Sequence, residues 1–467
     1  MDQPPQGAAQ AWRRAVHTLA VLAAMTIAHA AQRGSPILYK RIAIPEPLLA
    51  SIMQQGQRLR YGGDVRLGDL TGDGQADLLV FRSTHGGMKP CFLGAFTTDG
   101  QVLWTVGKRG GQPARPGPVV IHDIDGDGKA DVICFFIDRT RKARPESMAN
   151  VVIQIRDGAT GKLKTQAAPD AFTACGGKGA NWCHHRILIA NFRGTPTPRD
   201  FVVKLGDTIL AFDQNLGILW SYRIKWNDYS RCSAYIPSVG DIDGDGRDEV
   251  NGGYFVLDHD GSPRWERQLG RHMDSVAIVP WDDGKVRAIC SGFGHVVDAD
   301  GNKVLKLGEQ AVPHGQEVRV ADFAPGLPGP EMVIRYNGHS PNVMLVSNEG
   351  RIVRRFKLNR SPNETGMEVV HWHGPDQPAL LYNGGMLWSG TGEPVARMPG
   401  LPPPVGPPKM GWYHCIPADL CGDAREEMLL YNPWDRFVYI YTPAPLDEPA
   451  YRGYRPTARQ YNARLMD

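Results

Sequence analysis

Asp123-Ile-Asp-Gly-Asp-Gly-Lys-Ala-Asp131 is the stretch from which the rest of the chain can be read, because it returns as Asp69-Leu-Thr-Gly-Asp-Gly-Gln-Ala-Asp77 and as Asp241-Ile-Asp-Gly-Asp-Gly-Arg-Asp-Glu249. Carboxylates at alternate positions, with glycines that tolerate positive φ between them, let a short loop curl until several oxygens converge on one hard cation. Apolar runs flank the loop, Val119 to Ile121 before it and Val132 to Phe135 after it, so it joins two strands. The expected ligands are Asp69, Asp73 and Asp77; Asp123, Asp125, Asp127 and Asp131; and Asp241, Asp243, Asp245 and Glu249, with Ca2+ as the cofactor. The competing reading is a solvated acidic turn. A bound ion would here be structural, a staple between two strands, since a catalytic ion needs an open coordination position facing a cleft.

With the loop as a ruler, the strand, turn, strand pattern occurs eight times, starting near Asp69, Asp123, Asn191, Asp241, Trp281, Asp322, Trp372 and Asp419. Several copies keep the turn without the full set of carboxylates: Asn191-Phe-Arg-Gly reaches Asp200, Asp322-Phe-Ala-Pro-Gly ends in Glu331, and Asp419-Leu-Cys-Gly-Asp423 ends in Glu427. Most copies continue into a hairpin, as in Phe96-Thr-Thr-Asp-Gly-Gln-Val-Leu-Trp104 and Val297-Asp-Ala-Asp-Gly-Asn-Lys-Val304. Asp-Gly between alternating apolar residues is a strong hairpin signal. Four antiparallel strands repeated in this way form a propeller blade, so the fold class is all-β, a β-propeller of eight four-stranded blades. Residues 61–445 hold the blades, 31–60 and 446–467 are end segments, and one of these ends is expected to complete a terminal blade and close the ring.

Composition agrees, with 54 Gly, 37 Pro and few helix-period stretches among 467 residues. A formal charge of +3, with Lys and Arg scattered, gives no argument for a nucleic-acid partner, and none is expected. Residues 1–30 carry Arg13 and Arg14, an apolar run from Ala15 to Ala28, and Ala28-His-Ala30 in the form of a cleavage site, so they read as a signal peptide and the protein as secreted or periplasmic. A membrane anchor is the alternative, but the run falls short of the roughly 20 residues needed to span, so no stable membrane insertion is expected. The eight cysteines permit disulfides in an exported chain: Cys175 and Cys183, flanking one glycine-rich loop, are the expected pair, while Cys134 and Cys290 in apolar strands read as buried thiols. A monomer is expected.

If the first strand of each blade lines the central channel, all acidic loops share one rim, and the residues just before the first strand and just after the second build the opposite rim. Six positions before the loop start lie His185, Tyr235, Gln316 and Tyr413; nearby are His184, His272 and His314; after the second strands come Arg82-Ser-Thr-His85 and Arg335-Tyr-Asn-Gly-His339. Arginine pairs with carboxylates, histidine and amides read hydroxyls, and tyrosine offers a stacking face, so this rim suits an anionic, hydroxyl-rich ligand such as an acidic polysaccharide. The competing reading is that these are strand-end residues satisfying one another. Trp104, Trp220 and Trp265, which follow hairpin turns, read as blade packing. Asn363-Glu-Thr365 is a glycosylation sequon.

The acidic loops resemble those of FG-GAP or VCBS repeat propellers. Cys183-His-His-Arg-Ile-Leu-Ile-Ala-Asn191, Gly270-Arg-His-Met-Asp-Ser275, His314-Gly-Gln-Glu-Val-Arg-Val-Ala-Asp322 and Tyr461-Asn-Ala-Arg-Leu-Met-Asp467 are similar to segments of the propeller polysaccharide lyases, which include rhamnogalacturonan, ulvan and rhamnose-glucuronate lyases. That resemblance implies β-elimination on a uronate-containing, rhamnose-containing acidic glycan, with His185 as base, Tyr235 as partner acid or alternative base, and Arg335 as the carboxylate clamp. Arg82, His85, His184, His272, His314, His339 and Tyr413 are then the substrate-binding candidates. His184 and His185 can exchange roles, since adjacent strand residues point oppositely. The alternative function is a non-catalytic, calcium-stabilised propeller that binds carbohydrate or protein.

Overall fold

The strands Val119–His122 and Asp131–Ile137 on either side of the opening loop pair antiparallel, with His122 opposite Asp131. Val151–Asp157 and Leu163–Ala167 extend the sheet in chain order. The computed structural model, which describes residues 34–49, 64–83, 90–108, 110, 117–137, 150–175, 186–228, 231–281, 284–406, 411–446, 454 and 456, repeats this meander to give eight four-stranded antiparallel sheets, the blades of a propeller. Each of the eight positions expected to start a repeat lies in the turn after a first strand. The hairpins at Asp99-Gly100, Asp260-Gly261 and Asp300-Gly301 join third strands to fourth strands.

First strands line the centre: Asp64–Gly68, Val119–His122, Ile187–Ala190, Ser238–Gly240, Val276–Pro280, Val318–Ala321, Glu368–Val370 and His414–Ala418 each contact the next in turn. Second strands are sandwiched between neighbouring blades and buried along their length, as in Asp77–Ser83 and Glu331–Arg335. Outer strands alternate with solvent, as in Val102–Gly107. The apolar core is therefore shared between blades; one cluster joins Leu188 and Val202 of the third blade to Val250 and Val256 of the fourth and Ala288 of the fifth.

The eighth blade takes its outer strand from the N-terminal segment. Pro36–Ala43 pairs antiparallel with Phe437–Pro443, with Pro36 opposite Pro443 and Ala43 opposite Phe437. Of the two end segments, it is thus the N-terminal one that supplies a strand, and the indole of Trp372 anchors it by donating to the Gly34 carbonyl at 2.6 Å. Among the described residues no helix is long and apolar enough to cross a membrane. Cys134 and Cys290 are fully buried thiols, each pushed up to about 12 by desolvation. Cys183, the expected partner of Cys175, lies outside the described residues.

Candidate functional site

Strand direction alternates within a blade, so the acidic loops and Asp-Gly hairpins share one rim, and the segments leading into first strands share the other. On that second rim four aromatic rings from the fourth, fifth and sixth blades form one array. Tyr235 stands before the first strand of the fourth blade, His272 before that of the fifth, His314 before that of the sixth, and His339 after the sixth blade's second strand. The Tyr235 and His272 rings are stacked with centroids 6.3 Å apart. His272 meets His314 edge to face at 4.8 Å, and His314 meets His339 at 6.4 Å.

The local chain explains why these rings converge. His272 and Asp274 sit two residues apart, as do His314 and Gln316, and extended backbone sends such pairs to the same side. The Ser291 hydroxyl accepts from the amides of Asp274 and Ser275, at 3.3 and 3.1 Å. The Tyr254 hydroxyl donates to the carbonyls of Gly270 and Arg271, fixing the turn before His272. Beyond it, the His314 amide donates to the Tyr336 carbonyl and the Gly338 amide to the His314 carbonyl. Gly315 is required by close approach, because a Cβ there would stand 1.9 Å from the Ser291 carbonyl oxygen.

Polar atoms meet at the centre of the array. His272 Nε2 lies 3.2 Å from Asp274 Oδ2 and 3.0 Å from His314 Nε2, and the Gln316 amide donates to both Asp274 Oδ2 and His314 Nε2. Two imidazole nitrogens at this distance share one proton, so one ring donates and the other accepts. Burial pushes the His314 pKa down, and the charges of His272, His339 and Arg271 add to this against the opposing pull of Asp274. A neutral imidazole is a base or a metal ligand. His272, Asp274 and His314 each direct one ligand atom to within 4.8 Å of the others, a two-imidazole, one-carboxylate set able to hold a divalent cation. Arg271, beside His272, reaches Glu309 at 3.4 Å with both side chains more than half exposed, 51% and 63%. Such a pair is weak and open to exchange.

Tyr235, His272, His314 and His339 come together as residues of one rim. Arg335 does not join them: its side chain is 3% exposed and paired with Glu317 at 3.4 Å, with the Asn363 carboxamide and Ser361 hydroxyl on its other side. Its charge is spent inside the sixth blade, which rules it out as the carboxylate clamp. Arg82 is likewise 1% exposed and donates to the Phe81 carbonyl. Tyr413 is buried, and its hydroxyl donates to Asp435 in the eighth blade. Both belong to the interior rather than to a ligand surface. His85, His184 and His185 lie outside the described residues. In the sequon Asn363 is half-buried and accepts from Arg335, while Thr365 is fully buried and its hydroxyl donates to the Tyr413 carbonyl at 3.1 Å. Asp274 and Arg271 were missed; the His-x-Asp spacing, echoed as His-x-Gln one blade later, was the available signal. Trp104 and Trp220 pack between blades as expected, donating to the carbonyls of Gly158 and His259 at 2.7 and 2.8 Å.

No protein-family model matches the chain. Among curated proteins it is similar to the rhamnogalacturonan endolyase YesW of Bacillus subtilis (strain 168), 26% identical over 274 residues, which is 50% of this chain and 44% of YesW. It is also similar to the rhamnogalacturonan exolyase YesX of the same organism, 24% identical over 291 residues, 53% of this chain and 47% of YesX. The chain spans about half the length of the curated relatives it matches. The solved structure of YesW superposes with a TM-score of 0.62 at 20% identity, covering 82% of this chain and 72% of that one. The V. cholerae biofilm matrix protein Bap1 superposes with a TM-score of 0.59 at 14% identity, covering 92% and 94%. At these identities the structures share the propeller fold.

Proposed function

We propose that the protein is a polysaccharide lyase that cleaves a uronate-containing, rhamnose-containing acidic glycan by β-elimination on the rim of its fourth, fifth and sixth blades. The observation that carries this reading is the Tyr235, His272, His314, His339 array closed by Asp274, in a chain whose curated relatives are named as rhamnogalacturonan lyases. The C5 proton of a uronate becomes acidic enough to remove only when the neighbouring carboxylate is neutralised and the developing enolate stabilised. Arg271, exposed and loosely paired with Glu309, binds the uronate carboxylate in this reading. A divalent cation on His272, Asp274 and His314 would supply further positive charge at that carboxylate.

In this reading His339 takes the proton from C5, the electrons form the C4–C5 double bond, the C4–O4 bond breaks, and the Tyr235 hydroxyl protonates the departing O4. Tyr235 packs against His272 and His339 against His314, so the two proposed proton-transfer groups are joined through the central pair. Export through the leader-like residues 1–30 would place the enzyme with its polymer. Structural calcium belongs to the same reading in the first blade's loop of Asp69, Asp73 and Asp77, where among the described residues no Lys or Arg pairs with the carboxylates.

Incubation with rhamnogalacturonan, polygalacturonate and ulvan, followed by the ultraviolet absorbance of the 4,5-unsaturated uronate, tests the proposal. Unsaturated product is expected from at least one rhamnose-containing polymer. His339→Asn and Tyr235→Phe should each lower kcat by about 10²–10⁴-fold, the usual contribution of one proton-transfer group. Arg271→Ala should raise KM on the acidic polymer. Polymer retention with no unsaturated product would make the chain a binding propeller instead.

A further inference from the structure

The fold family implies metal ions in loops of the Asp-x-Asp-x-Asp type, and the three acidic loops here invite that assignment. The side chains around two of them do not fit it. In the second blade Lys164 Nζ lies 2.7 Å from Asp125 Oδ2, 2.8 Å from Asp131 Oδ1 and 3.5 Å from Asp127 Oδ2. Asp131 is fully buried, and Asp123, Asp125 and Asp127 each bring an oxygen to within 4.8 Å of the others. An ammonium therefore sits among the carboxylates that a metal would need. In the fourth blade the Arg264 guanidinium pairs with Asp243 and approaches Asp258 at 3.6 Å, beside a fully buried Glu249.

Lys164 and Arg264 hold the same structural position. In seven blades the register between third and fourth strands slips by one residue at the start of the fourth strand, leaving its second residue unopposed. A bulge of this kind re-aims one side chain. The bulged residues are Leu103, Lys164, Leu219, Arg264, Val304, Val353 and Val395. A cation appears only in the second and fourth blades, and these are the two whose loops carry three aspartates at alternate positions, Asp123, Asp125, Asp127 and Asp241, Asp243, Asp245. The first blade's loop has Thr71 at its middle position and Leu103 at its bulge.

We propose that Lys164 and Arg264 are tethered cations that replace a metal ion in the second and fourth blades, so that these two loops fold without calcium. Clustered carboxylates repel unless a positive charge stands among them, and a side chain fixed by a bulge supplies that charge with no dependence on free ion.

The test is a gain of calcium dependence. Wild type, Lys164→Met and Arg264→Met are compared by thermal melting in chelator and in excess calcium, and by calorimetric titration with calcium. The wild-type protein should bind no calcium at either loop. Each single variant should melt several degrees lower in chelator, recover in calcium, and bind one calcium more than wild type. Should Lys164→Met fail to fold in chelator, Lys164→Met with Asp125→Asn, which removes part of the repulsion, should fold there. Equal calcium stoichiometry in wild type and both variants would overturn the proposal. So would a melting loss that calcium does not reverse, or no melting loss at all.

Discussion

His295 begins the third strand of the fifth blade, opposite Lys306 of the fourth strand, and it is 1% exposed with its Nδ1 unpartnered. Burial, reinforced by Lys303, Lys306 and Arg267, lowers its pKa from 6.5 to about 4. The unfolded chain therefore takes up a proton at a pH where the folded chain does not. Stability from this group is complete above about pH 6.5 and is lost as pH falls toward 4, on the order of 3 kcal/mol across the window. His295→Leu should flatten that part of the acid limb, read as unfolding free energy by urea titration between pH 7 and pH 4; an unchanged slope would show that His295 is not buried as the neutral form. The same residue scale decides what sequence alone revealed of the site. A histidine at a strand end could be placed on the correct rim, as with His272 and His314. Arg335 could not, because its burial depends on pairing with Glu317, eighteen positions away at the entry to the adjoining first strand, a contact that only the folded sheet creates.

At the scale of the element, the outer strands mortise one blade into the next. Trp104 lies against Gly161 of the second blade's hairpin, Trp220 against Gly261, Trp265 against Gly301, and Phe356 against Gly392. The glycine is needed at Gly161 both for its positive φ of 67° and because a Cβ there would meet the indole at 2.5 Å. Trp104→Ala should cost about 3–5 kcal/mol through lost burial and a cavity, whereas Trp104→Phe should cost about 1 kcal/mol, chiefly the indole hydrogen bond to Gly158. Chemical denaturation of both variants measures the difference, and equal losses would mean that the hydrogen bond, not the packing, dominates. Hairpins and their tryptophans were readable from sequence because turn chemistry and alternation are local. The bulge that aims Lys164 and Arg264 into the loops was not, since it arises from pairing between strands and leaves no mark in composition.

For the whole molecule the open question is what keeps eight blades in a ring, and the contact that closes it is Pro36–Ala43 on Phe437–Pro443. Ile42, Ile44 and Leu48 from the N-terminal segment enter one apolar cluster with Val65 and Leu78 of the first blade and Leu429 and Ile440 of the eighth. The seam thus couples both ends of the chain through burial as well as through a ladder. Removing residues 34–49 should expose the edge of Phe437–Pro443, a strand of Val, Tyr, Ile and Tyr at its centre, and an exposed apolar edge recruits other chains. The truncated protein is expected to melt well below the full chain and to form multimers in size-exclusion chromatography with light scattering. Adding the 34–49 peptide in trans should reverse part of both effects, which separates loss of the strand from general misfolding. The candidate site belongs to the fourth, fifth and sixth blades, away from the seam between the eighth and the first. Loss of the proposed polymer cleavage in the truncated protein should therefore follow its melting curve instead of preceding it. Activity lost far below the melting transition would place the seam in direct communication with the His272 and His314 pair, and a monomer with unchanged melting would mean that the ring is held by the inner strands alone.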